Sequence, residues 1–434
     1  MALSIAEFNQ GLLEYLQSSP TAFHAAEQMR LRLVDAGFIL LRESDQWQLE
    51  SGKSYVITRN DSSVIAFTYG QNSLIENGIK MLGAHTDSPC LKVKPQPELN
   101  HRGYSQLGVE VYGGALLAPW FDRDLSIAGR VTYQDKNGIA SVLLDFKDPI
   151  AFIPSLAIHL DREANSNRSI NSQKDIVPVL VQSEQTELNF KVLLKDLVTK
   201  NYPELKDVSL LDFEMSLYDT QAPAMVGLEK QFIASARLDN LLSCYVGLCS
   251  ILQADNQNSA LFIATDHEEV GSASCCGAKG PLLQQFLERL MPDAQNRARC
   301  IDRSLMISAD NAHGVHPNFM DKHDENHGPI LNKGPVIKIN ANQRYATTSD
   351  TSAVFRALCE LENIPVQAFV ARTDMGCGST IGPIVSSEVG VKTVDVGVPT
   401  FAMHSIREIA GEKDAWYLYR AVQQFFSGKV NLHK

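Results

Sequence analysis

The chain has 434 residues, which is too long for one ordinary hydrophobic core and indicates two or three domains. Apolar residues make up 44% of the sequence and charged residues 21%, which is the composition of a folded protein and excludes extensive disorder. The net charge of −11, without a basic stripe, argues against nucleic acid as a partner, and no apolar stretch approaches the ~20 residues that span a membrane.

The cysteine content and the first residues predict where the protein is found. The eight cysteines include no Cys-x-x-Cys pair, and the adjacent Cys275 and Cys276 are poorly placed to bridge each other. We therefore expect eight reduced thiols, most of them in the core, and a reducing compartment. The first residues lack the basic segment and the apolar run of a secretory signal. The sequence thus predicts a cytoplasmic protein.

The first part of the chain, residues 1–91, predicts helices followed by strands. Apolar residues recur at helical spacing over residues 5–17 and 23–36, and Gly37 stands just past the second stretch, where helices commonly end. Three short apolar runs of strand composition follow, at residues 55–57, 64–67 and 79–84.

Over residues 92–233 the pattern of apolar residues changes. Short β-like runs dominate, and one helix-like stretch, residues 190–199, interrupts them. The runs are residues 109–112, 127–133, 140–146, 176–181 and 210–217. This change predicts a separate, β-rich domain.

Over residues 234–434 the alternation of strands and helices resumes. Predicted strands are residues 261–264, 305–308, 336–339, 366–370 and 391–396. Predicted helices are residues 241–252, 282–290, 351–361 and 415–426. Apolar strands separated by helices indicate an α/β domain with a covered sheet. We expect a split α/β domain with a covered mixed sheet, residues 1–91 and 234–434, into which the β-rich domain is inserted.

Histidine and acidic side chains stand where these elements meet. His85 closes a predicted strand, Glu269 and Asp310 each follow another, His404 follows a fourth, and Asp239 opens a helix. In open α/β sheets, functional sites lie outside the carboxyl ends of the strands. Each position alone has an ordinary explanation, such as a helix cap for Asp239 or a turn residue for Asp310. The five together predict a metal site.

The types of ligand fit a pair of divalent metal ions. Three carboxylates and two imidazoles suit zinc, manganese or cobalt. One carboxylate can bridge two ions, and ions ~3.5–4 Å apart polarise a carbonyl and supply a hydroxide for hydrolysis. Asp87, two residues past His85, cannot easily bind the same ion, so we expect it to orient His85. Glu268, beside Glu269, offers a carboxylate that can act as a general base.

Nine segments, distributed over essentially the whole chain, carry a resemblance to a known family. They are residues 83–89, 111–114, 119–125, 158–160, 237–240, 266–272, 310–313, 342–347 and 403–408. In these segments, which include GAHTDSP, DHEEVGS and MHSIRE, the sequence resembles the aspartyl aminopeptidase family of dinuclear zinc metallopeptidases. The resemblance implies an aminopeptidase with two divalent ions, zinc in the first place and manganese or cobalt as alternatives.

The resemblance also implies how the ions are held. His85 and Asp310 would bind one ion, and Glu269 and His404 would bind the other. Asp239 would bridge the two ions.

The remaining site residues follow from the same resemblance. Glu268 would be the general base, with Asp87 as its support. His313, Lys338 and Tyr345 would contact the peptide substrate.

The resemblance further implies an assembly and a specificity. His159 would enter the active site of a neighbouring subunit in a tetrahedral homododecamer, and the β-rich domain would make dimer contacts. The family name implies short peptides with N-terminal Asp or Glu as substrates. An acidic substrate near three metal-binding carboxylates needs a cation, for which Lys338 is the candidate and Arg344 the alternative.

Two other classes of protein fit parts of the pattern. A related dinuclear hydrolase acting as a carboxypeptidase or an N-acyl deacylase would use the same metals with a cationic clamp for the substrate carboxylate. A non-catalytic assembly protein would use the metals only for stability. The additional carboxylate of Glu268 argues against the second alternative, because a structural site has no use for a general base.

Overall fold

The helices and strands of the protein follow the apolar pattern of its sequence. The computed structural model describes residues 3–182 and 188–430. The helices are α1 (Ile5–Gln17), α2 (Ala22–Asp35), α3 (Leu74–Asn77), α4 (Phe190–Asn201), α5 (Leu238–Ile251), α6 (Leu282–Leu290), α7 (Ala294–Arg303), α8 (Ser349–Leu361), α9 (Ile381–Val389) and α10 (Asp414–Phe426). The strands are β1 (Ile39–Leu40), β2 (Ser54–Arg59), β3 (Ser63–Thr68), β4 (Lys80–His85), β5 (Cys90–His101), β6 (Tyr104–Tyr112), β7 (Leu125–Asp135), β8 (Gly138–Asp145), β9 (Val179–Gln182), β10 (Ser209–Asp219), β11 (Ala224–Val226), β12 (Phe232–Ser235), β13 (Ala260–Thr265), β14 (Leu305–Ala309), β15 (Ala312–His313), β16 (Val336–Lys338), β17 (Gln367–Phe369), β18 (Lys392–Gly397), β19 (Pro399–Phe401) and β20 (Glu408–Gly411).

The chain separates into two units, each with its own core. The first unit comprises Met1–Asp87, Pro223–Met403 and Glu408–Lys434, and the second comprises Ser88–Ala222 and His404–Arg407. The borders that the sequence indicated, after residues 91 and 233, fall inside β5 and β12. They differ because composition changes gradually along the chain, whereas backbone pairing assigns a whole strand to one sheet.

The first unit is built on a nine-stranded mixed sheet in the order β1-β2-β3-β13-β4-β14-β18-β16-β17. Its central strands β13, β4, β14 and β18 run parallel, and β3 joins them antiparallel. Alternate residues of β13 pack on opposite faces: Phe262 lies in a core with residues of α5 and α10, and Leu261 in another with residues of α6. Both faces of this sheet are therefore covered, as the sequence predicted.

A smaller five-stranded sheet, in the order β11-β12-β20-β19-β15, completes the first unit. Its strand β12 pairs antiparallel with β20, from Phe232↔Gly411 to Ser235↔Glu408. No helix among the described residues is both long and apolar enough to cross a membrane.

The second unit is an antiparallel six-stranded sheet in the order β8-β7-β10-β5-β6-β9. Helix α4 packs Phe190, Leu194 and Val198 into its core, which also contains Ile406. The predicted strand at 176–181 is shorter in the structure, where only Val179–Gln182 is a strand. This β-rich unit interrupts the α/β unit in sequence, so the predicted fold class is confirmed.

Candidate metal centre

Three neighbouring parallel strands bring acidic and histidine side chains of the first unit to one edge of its sheet. His85 is the last residue of β4 and pairs with Thr265, the last residue of β13. Glu269 follows in a 3-10 turn, Glu268–Val270, and Asp310 comes directly after β14. Because parallel strands end at the same edge of a sheet, these residues converge on one site.

Four of the five sequence-predicted ligands lie together at this edge. One ligand atom each from His85, Asp239 and Glu269 lies within 4.8 Å of the other two. The Nε2 atom of His85 is 3.4 Å from Oδ1 of Asp239 and 3.7 Å from Oδ1 of Asp310. His85 and Asp239 are almost fully buried, and Glu269 is partly buried. A mixed imidazole and carboxylate cluster of this kind fits a divalent zinc-like ion.

Asp239 is held in place from its backbone. It lies in the first turn of α5 with φ −83° and ψ 104°, which is not helical, and the peptide bond to Asn240 is cis. Its N–H donates to Oε2 of the buried Glu408 at 2.9 Å. Asn240 Nδ2 donates to the carbonyl of Ala309 at 2.8 Å. No role was predicted for Glu408 from the sequence, where its position in the segment MHSIRE was the only signal.

Asp87 links His85 to the turn that carries Glu268 and Glu269. The ring nitrogen Nδ1 of His85 lies 3.0 Å from the carbonyl oxygen of Asp87 and 3.4 Å from its Oδ1. The backbone N–H groups of Glu268 and Glu269 donate to Oδ1 and Oδ2 of Asp87, each at 3.1 Å. When Nδ1 carries the proton of His85, its Nε2 lone pair faces Asp239 and is available to a metal ion.

The crowded carboxylates of the site shift the pKa values of its side chains in the direction that favours bound positive charge. Burial alone lowers the pKa of His85, but the three neighbouring carboxylates of Asp239, Asp310 and Asp87 outweigh it and raise that pKa well above its ordinary value. Burial is the main reason why the pKa of Glu268 is raised to about 8, and nearby carboxylates act in the same direction. Several carboxylates crowded into a buried site are stabilised by cations, which are the charges that bound metal ions supply.

His404 belongs to the second unit of the chain. There its Nδ1 lies 3.2 Å from the carbonyl of Gly114, and its carbonyl accepts from the N–H of Leu116 at 3.0 Å. His404 follows β19, a strand of the five-stranded sheet, so it does not follow a strand of the sheet that contains β4, β13 and β14. The sequence could not separate the two sheets, because both contribute short apolar strands. The role of His404 as a ligand stays a prediction.

Lys338 is buried and bonded to one of the predicted ligands. Its Nζ donates to Oδ2 of Asp310 at 3.1 Å and to the carbonyl of Asn311 at 3.0 Å. The same Nζ lies 5.2 Å from the centre of the Tyr345 ring, a favourable cation–π distance. The ion pair with Asp310 was not predicted, because the two residues are distant along the chain.

The other predicted substrate residues occupy different environments. Tyr345 is buried, which raises the pKa of its hydroxyl. His313, the last residue of β15, is exposed, and its ring lies 5.8 Å from the ring of Phe369. His159 lies in an exposed turn of the second unit. Arg344 is exposed and donates from Nε to the carbonyl of Cys377 at 3.2 Å. Their contacts with substrate stay predictions.

A covered α/β sheet with imidazole and carboxylate groups at its strand ends is typical of metal-dependent hydrolases. The comparison with protein families agrees with this class. The model of the family described as aminopeptidase I zinc metalloprotease (M18) matches residues 15–426. The chain belongs to this family.

Relatives and solved structures support the same assignment. "Probable M18 family aminopeptidase 2" of Pseudomonas putida is 57% identical over 422 residues, which are 97% of this chain and 98% of the relative. The protein of the same description from Azotobacter vinelandii is 56% identical over 425 residues, 98% of this chain and 99% of the relative.

Among solved structures, a chain of the cryo-EM structure of the Ape4 and Nbr1 complex gives a TM-score of 0.93 at 34% identity, covering 98% of this chain and 88% of that chain. The crystal structure of yeast aminopeptidase 1 (Ape1) gives 0.84 at 28% identity, covering 98% and 97%. The protein is thus a zinc-dependent aminopeptidase, and the predicted family and enzyme class are confirmed.

Proposed function

We propose that the protein removes the N-terminal residue of short peptides with two divalent metal ions, zinc in the first place, and that Glu268 is the general base. The observation that carries this proposal is the cluster of His85, Asp239 and Glu269, with Asp310 beside His85. When bound, such ions polarise the scissile carbonyl and lower the pKa of a water molecule. Manganese and cobalt suit the same ligands.

The number of carboxylates favours two ions over one. Asp239, Glu269, Asp310 and the neighbouring Glu268 carry up to four negative charges into a site with little solvent. Lys338 offsets one of them through its ion pair with Asp310, and a single divalent ion would still leave one uncompensated. Asp239 is central, because its Oδ1 lies within 3.4 Å of His85 Nε2 in the same cluster that contains Glu269. In our proposal Asp239 bridges the ions, His85 and Asp310 complete one site, and Glu269 and His404 complete the other.

We assign Glu268 the role of base and Glu269 that of ligand, because the cluster with His85 and Asp239 contains Glu269. Glu268 precedes Glu269 in the same turn, and Asp87 binds the backbone N–H groups of both. The backbone from which the Glu268 side chain extends is therefore held in place beside the metal-binding cluster. A base in this place takes a proton from the attacking water and returns it to the leaving amine.

We further propose that acidic N-terminal residues are preferred. The supporting observation is the buried ammonium group of Lys338 beside Asp310. A substrate carboxylate would share this cation with Asp310, or would reach the exposed guanidinium of Arg344. His313 and Tyr345 would contact the peptide near the same place.

We also propose a homo-oligomer, in the form of a tetrahedral dodecamer with contacts through the β-rich unit. A solved structure described as the S. cerevesiae mApe1 dodecamer gives a TM-score of 0.80 at 27% identity, covering 96% of this chain and 95% of that chain. In the second unit the exposed side chains of Phe152, Leu156, Ile158 and Leu160 surround His159 in sequence. Several exposed apolar side chains in one short segment are typical of an interface, from which His159 would enter a neighbouring active site. The cytoplasmic location stays a prediction.

One set of assays tests the proposed reaction. Aminoacyl, N-acylated and C-terminally blocked peptides are incubated with the enzyme, with and without a metal chelator. We expect cleavage only where a free amino terminus is present, loss of cleavage with the chelator, and recovery with zinc, manganese or cobalt. Cleavage of acylated peptides at the same rate would contradict the proposal.

A further inference from the structure

A second cluster of potential metal ligands lies just before the catalytic turn. One ligand atom each from Asp266, His267 and Cys276 lies within 4.8 Å of the other two, and this group is separate from the one that contains His85. Cys276 Sγ is 3.5 Å from Nδ1 of His267, the ring nitrogen that would bind the same ion as the thiolate. Asp266 and Cys276 are buried, whereas the neighbouring Cys275 is exposed.

The backbone holds these residues in one arrangement. The N–H of Asp266 donates to Oγ of Ser63 at 2.9 Å and to the carbonyl of Cys276 at 3.3 Å. The hydroxyl of Ser63 donates in turn to the carbonyl of Cys276 at 2.8 Å. The end of β13 and the loop that contains Cys276 are thus fastened to each other through β3. A preorganised set of ligands loses little conformational entropy when an ion binds.

We propose that Asp266, His267 and Cys276 form an additional site for a thiophilic divalent ion of the zinc class. A thiolate, an imidazole and a carboxylate are all ligands that zinc accepts, and the separation of 3.5 Å between Sγ and Nδ1 corresponds to one edge of a tetrahedron with zinc–ligand bonds of roughly 2.0–2.3 Å. Binding releases the thiol proton of Cys276 to solvent, since the thiolate is the ligand. A water molecule would occupy the fourth position, and the hydrogen bond of 2.8 Å between Ser274 Oγ and His267 Nδ1 would be given up when Nδ1 binds the ion.

The proposed additional site lies next to the turn that carries the proposed base, so it would affect catalysis. His267 immediately precedes Glu268, the proposed base, and the N–H of Ser272 donates to the carbonyl of His267 at 2.7 Å. An ion bound by Asp266, His267 and Cys276 would tie the residues just before the 3-10 turn Glu268–Val270 to the loop that follows it. The additional ion would therefore stabilise the turn that carries Glu268 and Glu269, without contacting the substrate.

Cobalt substitution tests the proposal independently of the peptidase reaction. The ligand set proposed for the dinuclear site has no thiolate, so a thiolate-to-cobalt absorption band in the near ultraviolet would report only on a cysteine ligand. We expect the full-length enzyme loaded with Co²⁺ to show this band and to hold one ion per chain more than the Cys276→Ala variant. Cys275→Ala, a matched change at the exposed neighbour, should retain both the band and the ion.

A second variant keeps the test decisive if Cys276→Ala does not fold. His267→Asn leaves the thiol in place but removes the imidazole, and it should also lose one ion per chain. Identical metal content and identical spectra in the wild type, Cys276→Ala and His267→Asn would overturn the proposal. A band that disappears with Cys275→Ala and survives Cys276→Ala would overturn it too. The comparison of ions per chain remains valid even if the dinuclear site binds only one ion.

Discussion

At the scale of the residue, Asp239 is the side chain on which the proposed dinuclear site depends most. Asp239→Asn keeps the size of the side chain and removes its charge, so two cations would be left with less neutralisation. We expect loss of at least one metal ion per chain and of nearly all activity, measured by elemental analysis and peptide hydrolysis. Asp207→Asn, at an exposed position, is the matched control. A variant with full metal content and normal turnover would refute the bridging role.

Glu268 makes a different prediction from its neighbour Glu269. Glu268→Gln should retain the metal ions, because Glu268 is not a ligand in the proposed site, and should lower kcat by roughly 10²–10⁴-fold with a much smaller change in KM. Glu269→Gln should lose metal and activity together. Elemental analysis and steady-state kinetics on both variants distinguish the two roles. Parallel loss of metal and activity in Glu268→Gln would mean that the roles are reversed.

Lys338 tests the proposed preference for acidic substrates. Lys338→Met removes a charged hydrogen bond worth about 1.5–3 kcal/mol, so selectivity for Asp and Glu substrates over Leu substrates should fall by roughly 10- to 150-fold. The measurement is kcat/KM for each aminoacyl substrate, with Arg344→Met as the comparison. Equal losses for acidic and neutral substrates would show that Lys338 serves only to hold Asp310, its partner at 3.1 Å.

At the scale of the element, the turn Glu268–Val270 depends on one carboxylate. Asp87 accepts from two backbone N–H groups, and an amide at this position would present a donor to one of them. Asp87→Asn should therefore weaken metal binding in a chelator competition and speed hydrogen exchange in residues 266–272. Unchanged exchange with reduced activity would show that Asp87 acts only through His85.

The elements also show what the sequence could predict. Helix α1 was predicted over residues 5–17 and is Ile5–Gln17 in the structure, because a helix is defined by local spacing of apolar residues and a local cap. All of β5 (Cys90–His101) escaped prediction, since beyond Val93 it is mostly polar and contains two prolines. Its conformation is fixed by pairing with β6 and β10, which no local pattern reveals.

Some features of the metal site could be predicted from the sequence, and others could not. Three of the four predicted ligands that the structure brings together lie at or after strand ends, which are visible as the limits of apolar runs, and parallel strands end at one edge. The fourth, Asp239, was predicted at the start of a helix and lies there. The sequence did not reveal the bond from Asp239 N to Glu408 or the ion pair of Lys338 with Asp310. These contacts join residues remote in sequence, and their partners are recognised only when the fold is known.

At the scale of the whole molecule, the exposed turn around His159 leads to a prediction about assembly. Leu160, which is 75% exposed, lies next to His159, and Leu160→Asp should break the proposed subunit contact and lower both mass and activity. His159→Ala should lower activity while mass and metal content stay unchanged. Light scattering and peptide hydrolysis on the same fractions test both variants. Leu228→Asp, at a fully exposed position of the first unit, is the control. A fully active monomer would contradict the trans role and the assembly.

The position of Asp87 affects how the two metal ions are expected to bind. Through its backbone carbonyl Asp87 fixes the imidazole of His85, and through its side chain it fixes the turn with Glu269, so one residue aligns the ligands proposed for both ions. When the first ion orders its own ligands, Asp87 therefore also orders the ligands of the second ion before that ion binds. The two ions are expected to bind cooperatively, and the enzyme should pass from empty to fully loaded with little of the singly loaded form in between.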